Sequence, residues 1–459
     1  MSANLTDTIA AIATPPGEGG ISVIRVSGEN TFTIIEKIFS STEEKFTPVV
    51  IGSFNSHTVH FGYISDEGNL VDEVLITVFK SPGTYTGEDV VEISSHGGTF
   101  VAAKILRLLF KQGARLAEPG EFTKRAFLNG RMDLSQAEAV ADLIHAKTES
   151  AHESSIKQLE GSLSHYVSKV KEDILNAVSL VELELDFAEE DLEFVHKKEL
   201  RDKLTAIIGD IEKIIASYIT GRVIREGAKL VIAGNPNAGK SSLFNHLLRT
   251  NRAIVSDIAG TTRDYIEENL IIEGVLFNLT DTAGLRISED TIESEGIKRS
   301  YERMKEADLI LFLIDSSEDE TSIQNNIKYF GENFDTGKSI MVFSKSDLNK
   351  QPGKPGLHIS ILNDDSIEEL KKEMVAKVFS KEGSVSSGDI ILTNLRHKTC
   401  LENTVESLRN AVKTLDDNMS GEYISVDLRN ALSHLGEITG EVTNEDILSH
   451  IFSKFCIGK

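Results

Sequence analysis

Leu230-Val-Ile-Ala233 followed by Gly234-Asn-Pro-Asn-Ala-Gly239-Lys240-Ser241 is the stretch on which the fold turns. A short apolar run of strand length leads into GxxxxGK[ST], and a helical segment, Ser242–Leu248, follows. Strand, glycine-rich turn and helix in that order form a phosphate-binding loop. The glycines let backbone N–H groups curl around phosphate oxygens, and the helix N-terminus adds favourable dipoles. Asn237, Ala238, Gly239, Lys240, Ser241 and Ser242 are therefore assigned to a nucleotide. Lys240 neutralises the β/γ-phosphates, and the Ser241 hydroxyl ligates Mg²⁺.

Outward from this loop, three elements narrow the nucleotide to GTP. Asp281-Thr282-Ala283-Gly284 follows the strand Leu276–Leu279 and fits a DxxG loop sensing the γ-phosphate. Ser256-Asp257-Ile258-Ala259-Gly260-Thr261-Thr262 lies between the two loops, where a switch segment supplies a second Mg²⁺ ligand, Thr262. Ser344-Lys345-Ser346-Asp347 follows a further strand and resembles the guanine-reading NKxD. The Asp347 carboxylate can accept from guanine N1–H and N2–H, a pair that adenine does not offer. Ser344 stands where NKxD has Asn, and a hydroxyl replaces only part of an amide's bonding, so weaker guanine binding is expected. Ser360-Ile361 stands where Ser-Ala is usual. Leu285 follows the DxxG loop and cannot orient water, so hydrolysis is either slow or assisted by a group elsewhere.

The strand runs Leu230–Ala233, Leu309–Ile314 and Ile340–Phe343 alternate with helical segments, the pattern of a doubly wound α/β domain. Before it, Val167, Val170, Ile174, Val178, Val181 and Leu185 form one apolar helical stripe, and Leu200, Leu204, Ile207, Ile211, Ile214 and Ile215 a second. Between the stripes Glu182–Glu193 holds seven acidic and no basic residues, read as a solvated turn. After the α/β region comes a linker, Lys381–Gly388, and helical periodicity returns through His397–Leu415, Val426–Leu435 and Asn444–Phe455. The α/β domain is thus expected as an insertion into one helical domain. The N-terminal residues mix strands (Ile21–Val26, Val74–Phe79), turns at Asp66-Glu67-Gly68-Asn69 and Ser81-Pro82-Gly83, and a helix near Phe100–Phe110, an α+β pattern. The boundaries read as 1–120, 121–222, 223–380 and 381–459.

The whole chain is 459 residues with a formal net charge of -24, 40% hydrophobic and 26% charged. That length suits about three domains. Two cysteines, Cys400 and Cys456, exclude a disulfide scaffold and suit a reducing compartment. No apolar run is long enough for a transmembrane helix, and MSANLTDTIAAIATPPGEGG lacks a basic n-region, so a cytoplasmic protein is expected. The acidity argues against a protein that coats nucleic acid non-specifically. The exception is His96–Arg131, with seven basic and two acidic residues, a local net of +5, in which Lys104, Arg107, Lys111 and Arg115 recur at helical spacing. It reads as a solvated helix face or as a surface for an anion.

Several further stretches carry a family resemblance: Asp7-Thr-Ile-Ala, Ala13-Thr-Pro-Pro-Gly17, Tyr85-Thr-Gly-Glu-Asp89, His96-Gly-Gly98 and Glu118-Pro-Gly-Glu-Phe122. With them stand Arg125-Ala-Phe-Leu-Asn129, Asp257-Ile-Ala-Gly-Thr-Thr-Arg-Asp264 and the terminal Phe455-Cys-Ile-Gly-Lys459. On these the chain resembles, over essentially its whole length, the MnmE (TrmE) family of tRNA-modification GTPases. The resemblance implies a multidomain fold: an α+β N-terminal tetrahydrofolate-binding domain, a discontinuous α-helical domain, and an inserted α/β P-loop GTPase domain of Ras-like type.

It further implies a homodimer through the N-terminal domains and a K⁺-stimulated GTPase, with K⁺ held by Asn237, Ser256, Ile258 and Thr261. A cation there would supply the positive charge that an arginine finger supplies elsewhere. By the same resemblance Glu293 orients the attacking water, which would answer the question raised by Leu285. A 5,10-methylene- or 5-formyl-tetrahydrofolate would be bound by Arg25, Glu88, Arg131 and Lys459; basic residues suit its glutamate carboxylates. Cys456 would lie near that site, as a nucleophile or as a structural residue. The nearest base along the chain is His450, about 1.5 helical turns away if the helix continues. The implied partner is the FAD-dependent protein MnmG (GidA), and the implied product is tRNA carrying a carboxymethylaminomethyl or aminomethyl group at C5 of the wobble uridine. GTP hydrolysis would drive opening and closing of the G domains.

Two rival functions make different demands on the chain. A ribosome-assembly GTPase calls for an appended RNA-binding module, such as a KH GXXG loop, where this chain returns to acidic helices. A folate-dependent transferase with a degenerate G domain is at odds with the intact Gly239-Lys240-Ser241 and Asp281–Gly284.

Overall fold

Strands without polar alternation are stable only when both faces are covered. β8 (Ala228–Gly234) and β11 (Leu309–Asp315) are of that kind, and they pair in parallel. Leu230, Ile232, Leu311 and Leu313 enter one core with Leu243 and Leu370, while Val231, Ala233, Ile310 and Phe312 enter another with Ile323 and Phe330. The sheet is therefore sandwiched between helices, as expected of a doubly wound domain.

The computed structural model describes residues 7–42, 47, 49–186, 197–251, 267–280, 304–349, 354–379, 390–417 and 419–459. The chain divides into two compact units. One comprises 1–141, 158–168 and 436–459; the other comprises 142–157 and 169–435.

The second unit holds a six-stranded sheet. β9 (Glu267–Ile272), β10 (Val275–Thr280), β12 (Ser339–Ser344) and β13 (Leu357–His358) join β8 and β11 in the order β13-β12-β11-β8-β10-β9. All neighbours are parallel except β9, which pairs antiparallel with β10. The sheet is thus mixed rather than wholly parallel. Glu273 and Gly274, with φ of 49° and 77°, turn the chain back through a hairpin that the sequence reading did not anticipate. In the same unit, helix Lys197–Ala216 packs against Leu395–Asp416, with Arg409 paired to Glu212. At Gly221, in helix Tyr218–Glu226, a Cβ would come within 2.2 Å of the Leu392 carbonyl, so only glycine permits this approach. Asp308 anchors the same helix, accepting from Arg222 at 2.5 Å and from the Lys229 N–H at 2.9 Å.

The first unit is built on a seven-stranded sheet. Its strands are β1 (Ile9–Ile12), β2 (Ile21–Ser27), β3 (Phe39–Ser40), β4 (Thr58–Asp66), β5 (Asn69–Phe79), β6 (Val90–His96) and β7 (Arg115–Leu116), in the order β3-β4-β5-β6-β2-β1-β7. Alternation sorts its faces. Ala10, Ile24, Val26, Ile76 and Ile93 point to a core closed by helix Thr99–Lys111. Ile9 and Ala11 point the other way, against Ala117, Phe122 and Tyr85. Helix Glu445–Phe452 joins this unit through Leu448, Ile451, Phe452 and Phe455, which pack on Leu134, Ala137 and Val140. Asn444 caps that helix by accepting from the Ile447 N–H at 2.9 Å, and the helix ends at Phe452. Cys456 is therefore outside it, and the helical spacing that related His450 to Cys456 does not hold.

Most of the acidic stretch Glu182–Glu193 and the linker Lys381–Gly388 lie outside the described residues. Among the described residues no helix is long and apolar enough to cross a membrane.

Candidate functional site

The phosphate loop leaves β8 at Gly234. Its φ of 138° and a Leu313 carbonyl that a Cβ would approach to 2.3 Å both require glycine. Asn237 and Gly239 also take positive φ, 63° and 86°, which curls the backbone so that successive N–H groups can converge. Ala238 is fully buried and pins the turn to the core, and helix Lys240–Asn251 starts directly after it. Lys240 folds back over the loop, donating to the Gly234 and Asn235 carbonyls at 2.8 and 2.7 Å. Burial pushes its ammonium below the usual lysine range. A phosphate would offer the charge that these carbonyls lack. Ser241 and Ser242 are exposed in the first turn of the helix.

The second loop departs from the expectation for it. Ser344 ends β12 buried, and its hydroxyl lies 2.7 Å from the Ala238 carbonyl and 3.2 Å from that of Ile314. It faces the phosphate loop. Lys345, at a φ of 54°, pairs with Asp315 at 2.6 Å. Burial raises the Asp315 carboxyl, but Lys345 and Ser317 outweigh it and hold it below its ordinary value. Asp347 is exposed and accepts from the Ser360 hydroxyl at 2.6 Å. Ser360 is itself fixed by its N–H, which donates to Ser366 Oγ at 3.1 Å. Ser360 therefore orients the carboxylate, a contact that the sequence placed nearby but could not specify.

Ser256, Asp257, Ile258, Ala259, Gly260, Thr261, Thr262, Asp281, Thr282, Ala283, Gly284, Leu285 and Glu293 lie outside the described residues.

The first unit gathers the other candidates on the Ile9–Ala11 side of its sheet. Arg25 projects from β2 over the rings of Tyr85 and Phe122, 5.4 and 5.6 Å from their centroids. It bonds Glu92 at 2.8 Å and the Gly458 carbonyl at 3.4 Å. The tail bearing Lys459 docks beside it: the Gly120 and Phe122 N–H groups donate to the Cys456 and Lys459 oxygens at 3.4 and 3.2 Å. Those N–H groups belong to the start of helix Glu121–Leu128, where they have no partner within the helix. Burial and then the Arg25 charge push the Lys459 ammonium below its ordinary value, and Glu92 only partly offsets them. Two cations crowded against one carboxylate form a surface that an added anion would relieve. Cys456 is exposed.

Glu88, in the loop before β6, accepts at 2.6 Å from the hydroxyl of Ser27, which stands two residues along β2 from Arg25. Arg131 packs against Gly87, its Cγ 3.5 Å from where a Cβ would stand. Behind Glu88 lies a network that the sequence reading missed. Arg125 is 1% exposed and pairs with Asp7 at 2.5 Å, Glu121 at 3.0 Å and Glu88 at 3.1 Å. Arg115 closes the network on Asp7 and Glu121 at 2.7 and 2.6 Å. Burial raises the Asp7 and Glu121 carboxyls, but the two guanidiniums outweigh it and hold both low. The Glu121/Arg125 spacing of four was the available signal, but nothing in it announced burial. This network also dissolves much of the basic island. Arg115 and Arg125 are neutralised within it, and Lys111 faces Asp66 at 3.4 Å.

Two family models match the chain: that of the GTP-binding protein TrmE N-terminus over residues 8–131, and that of the MnmE helical domain over residues 134–456. The tRNA modification GTPase MnmE of Alkaliphilus oremlandii is 44% identical, the match covering 99% of this chain and 100% of that one. Those of Cytophaga hutchinsonii and Thermoanaerobacter pseudethanolicus are 43% and 45% identical, covering 99% of this chain and 98% and 99% of theirs.

Proposed function

Because the chain belongs to the MnmE family of tRNA modification GTPases, we propose that it hydrolyses GTP in a K⁺-dependent manner to support modification of the wobble uridine of tRNA at C5, in the cytoplasm. The observation that carries this reading is the phosphate loop: a positive-φ turn between a buried strand and a helix, with Lys240 resting on carbonyls that it can exchange for phosphate oxygens. Asp347, held by Ser360, supplies the acceptor for guanine. Among the described residues no three His, Cys, Asp or Glu side chains cluster to hold a metal. A Mg²⁺ ion would be held by the hydroxyls of Ser241 and Thr262 together with phosphate oxygens, the ligand set expected of this ion. K⁺, at Asn237, Ser256, Ile258 and Thr261, would supply positive charge facing the γ-phosphate. Glu293 would orient the attacking water.

The Arg25–Lys459 surface suits the carboxylates of a folate, and the Tyr85 and Phe122 rings flank it. A bound 5,10-methylene- or 5-formyl-tetrahydrofolate would supply the one-carbon unit. Glu88 and Arg131 would complete its contacts, and Cys456 would serve as a nucleophile or a positioning group beside it. The organisation proposed around these sites is an N-terminal folate-binding and dimerisation domain (1–120), a helical domain in two pieces (121–222 and 381–459), and the inserted G domain (223–380). The partner would be the FAD-dependent protein MnmG, which would supply most of the basic surface for tRNA that a chain of net charge -24 lacks.

Comparing GTP turnover in K⁺ and in Na⁺ tests the reading. Strong K⁺ stimulation is expected, and no turnover in either salt would overturn it. Glu293→Ala should abolish hydrolysis and, through the coupling of the G-domain cycle, tRNA modification; full modification without hydrolysis would refute the coupling. Arg25→Met and Lys459→Met should each weaken 5-formyl-tetrahydrofolate binding, read by calorimetry. Unchanged affinity in both would remove the folate assignment.

A further inference from the structure

We propose that Ser344 does not read the base: it positions the phosphate loop, and base discrimination falls to Asp347. The inference rests on the guanine-nucleotide reading above. A hydroxyl has one proton to donate. Here that proton lies between two backbone carbonyls, Ala238 at 2.7 Å and Ile314 at 3.2 Å, both inside the protein. Ser344 is 5%, Ala238 0% and Ile314 1% exposed, so both acceptors are shielded from bulk solvent. A Cβ on Gly239 would touch Ser344 Cβ and Oγ at 3.7 Å, which places the serine directly beneath the glycine that closes the loop.

The same strand end carries two other fixed groups. Lys345 is held by Asp315 at 2.6 Å, and Asp347 is oriented by Ser360 at 2.6 Å. Asp347 alone of these is an exposed acceptor. The division of labour follows from geometry. The first residue of the loop faces inward to the phosphate turn, and the fourth faces outward to the base. Asparagine has two amide protons and a carbonyl, so it can hold the loop and still offer a group to a purine. Serine cannot do both. The substitution therefore keeps the tether and gives up the base contact. Binding should be sensitive to Ser344 through the phosphates and insensitive to it through the purine ring.

The experiment measures dissociation constants of GDP, IDP and 7-deaza-GDP for the full chain and for Ser344→Ala, Ser344→Thr and Asp347→Ala. IDP lacks the N2 amino group that Asp347 accepts from, and 7-deaza-GDP lacks N7, an acceptor that a group at position 344 would donate to. Ser344→Ala is expected to weaken all three by the same factor, about five- to tenfold, leaving both ratios to GDP unchanged. Ser344→Thr, which keeps the donor, is expected to restore wild-type affinity for all three. Asp347→Ala is expected to collapse the preference for GDP over IDP. A purely structural role for Ser344 would lower the unfolding midpoint of the nucleotide-free protein without this uniform loss of affinity, and that result would overturn the proposal. So would a Ser344→Ala change in the GDP to 7-deaza-GDP ratio of more than about threefold, because a uniform loss leaves that ratio unchanged and a lost hydrogen bond to the purine would shift it by about that much or more. If Ser344→Ala does not fold, Ser344→Cys, whose thiol is only a weak donor, decides by the same ratios. Failure of the wild-type chain to bind any of the three would instead strike the guanine-nucleotide reading itself.

Discussion

Replacing Gly458 by alanine should release the C-terminal tail from the first unit. Gly458 has a φ of 97°, and an added Cβ would stand 2.4 Å from the Ile12 carbonyl oxygen and 3.0 Å from Ala13 Cα. Both obstacles are backbone, so no side-chain rotation relieves them. The left-handed conformation costs an alanine about 1–2 kcal/mol, and the overlap adds about 1–3 kcal/mol. Against this stand three hydrogen bonds to the tail, from Gly120, Phe122 and Arg25, each contributing about 0.5–1.5 kcal/mol. The strain matches or exceeds what holds the tail, so the tail should leave rather than the domain unfold. Hydrogen exchange reads this directly, because the Gly120 and Phe122 amides donate to tail oxygens. Their exchange should accelerate by about thirtyfold or more, the factor that corresponds to about 2 kcal/mol. The Lys124 amide, bonded at 2.9 Å to the Gly120 carbonyl inside the helix, serves as the protected control. Unchanged exchange at both Gly120 and Phe122 in Gly458→Ala would refute the reasoning.

Arg125→Met should cost about 3–5 kcal/mol in urea unfolding at neutral pH, because it strands Asp7, Glu88 and Glu121 around an apolar side chain; a loss below about 1 kcal/mol would mean the network is not the keystone of this fold. The folded carboxyls of Asp7 and Glu121 sit below their unfolded values. Their contribution is thus complete above about pH 5 and is lost as pH falls through the folded values. The acid-side slope of stability should flatten in Arg125→Met, and an unchanged slope would contradict this. Lys240 has a lowered pKa in the open loop, and a bound phosphate would raise it. GTP binding at alkaline pH should therefore take up protons, seen as a buffer-dependent enthalpy in calorimetry; equal enthalpies across buffers would count against Lys240 as the phosphate partner. Asp308→Ala removes the acceptor of Arg222 and of the Lys229 N–H. It should destabilise the second unit by about 1–3 kcal/mol, and an unmoved urea midpoint would refute that anchoring role.

Much of this architecture was legible because local chemistry and global placement agree. Apolar runs such as Leu309–Ile314 lack polar alternation and became strands buried on both faces. The helical run near Phe100–Phe110 is the helix seen at Thr99–Lys111. The hairpin β9–β10 was less legible, since Glu267 and Glu268 open a strand at the sheet edge where polar residues are tolerated. At the candidate sites, residue type revealed Lys240 and Asp347. It did not reveal Arg125, because an arginine in a helix four residues after a glutamate looks like a solvated pair until three carboxylates enclose it.

The sequence by itself determined the phosphate loop, the alternation of buried strands with helices around it, and the family, since each depends on residue identities at short spacing. The tertiary structure alone decided which side chains meet across long separations. It brought Lys459 beside Arg25 and Glu92, made Arg125 the buried hub of Asp7, Glu88 and Glu121, and aimed Ser344 at the phosphate loop. Those pairings arise from packing elements that are remote along the chain, and packing is a property of the whole fold that no local window of residues contains.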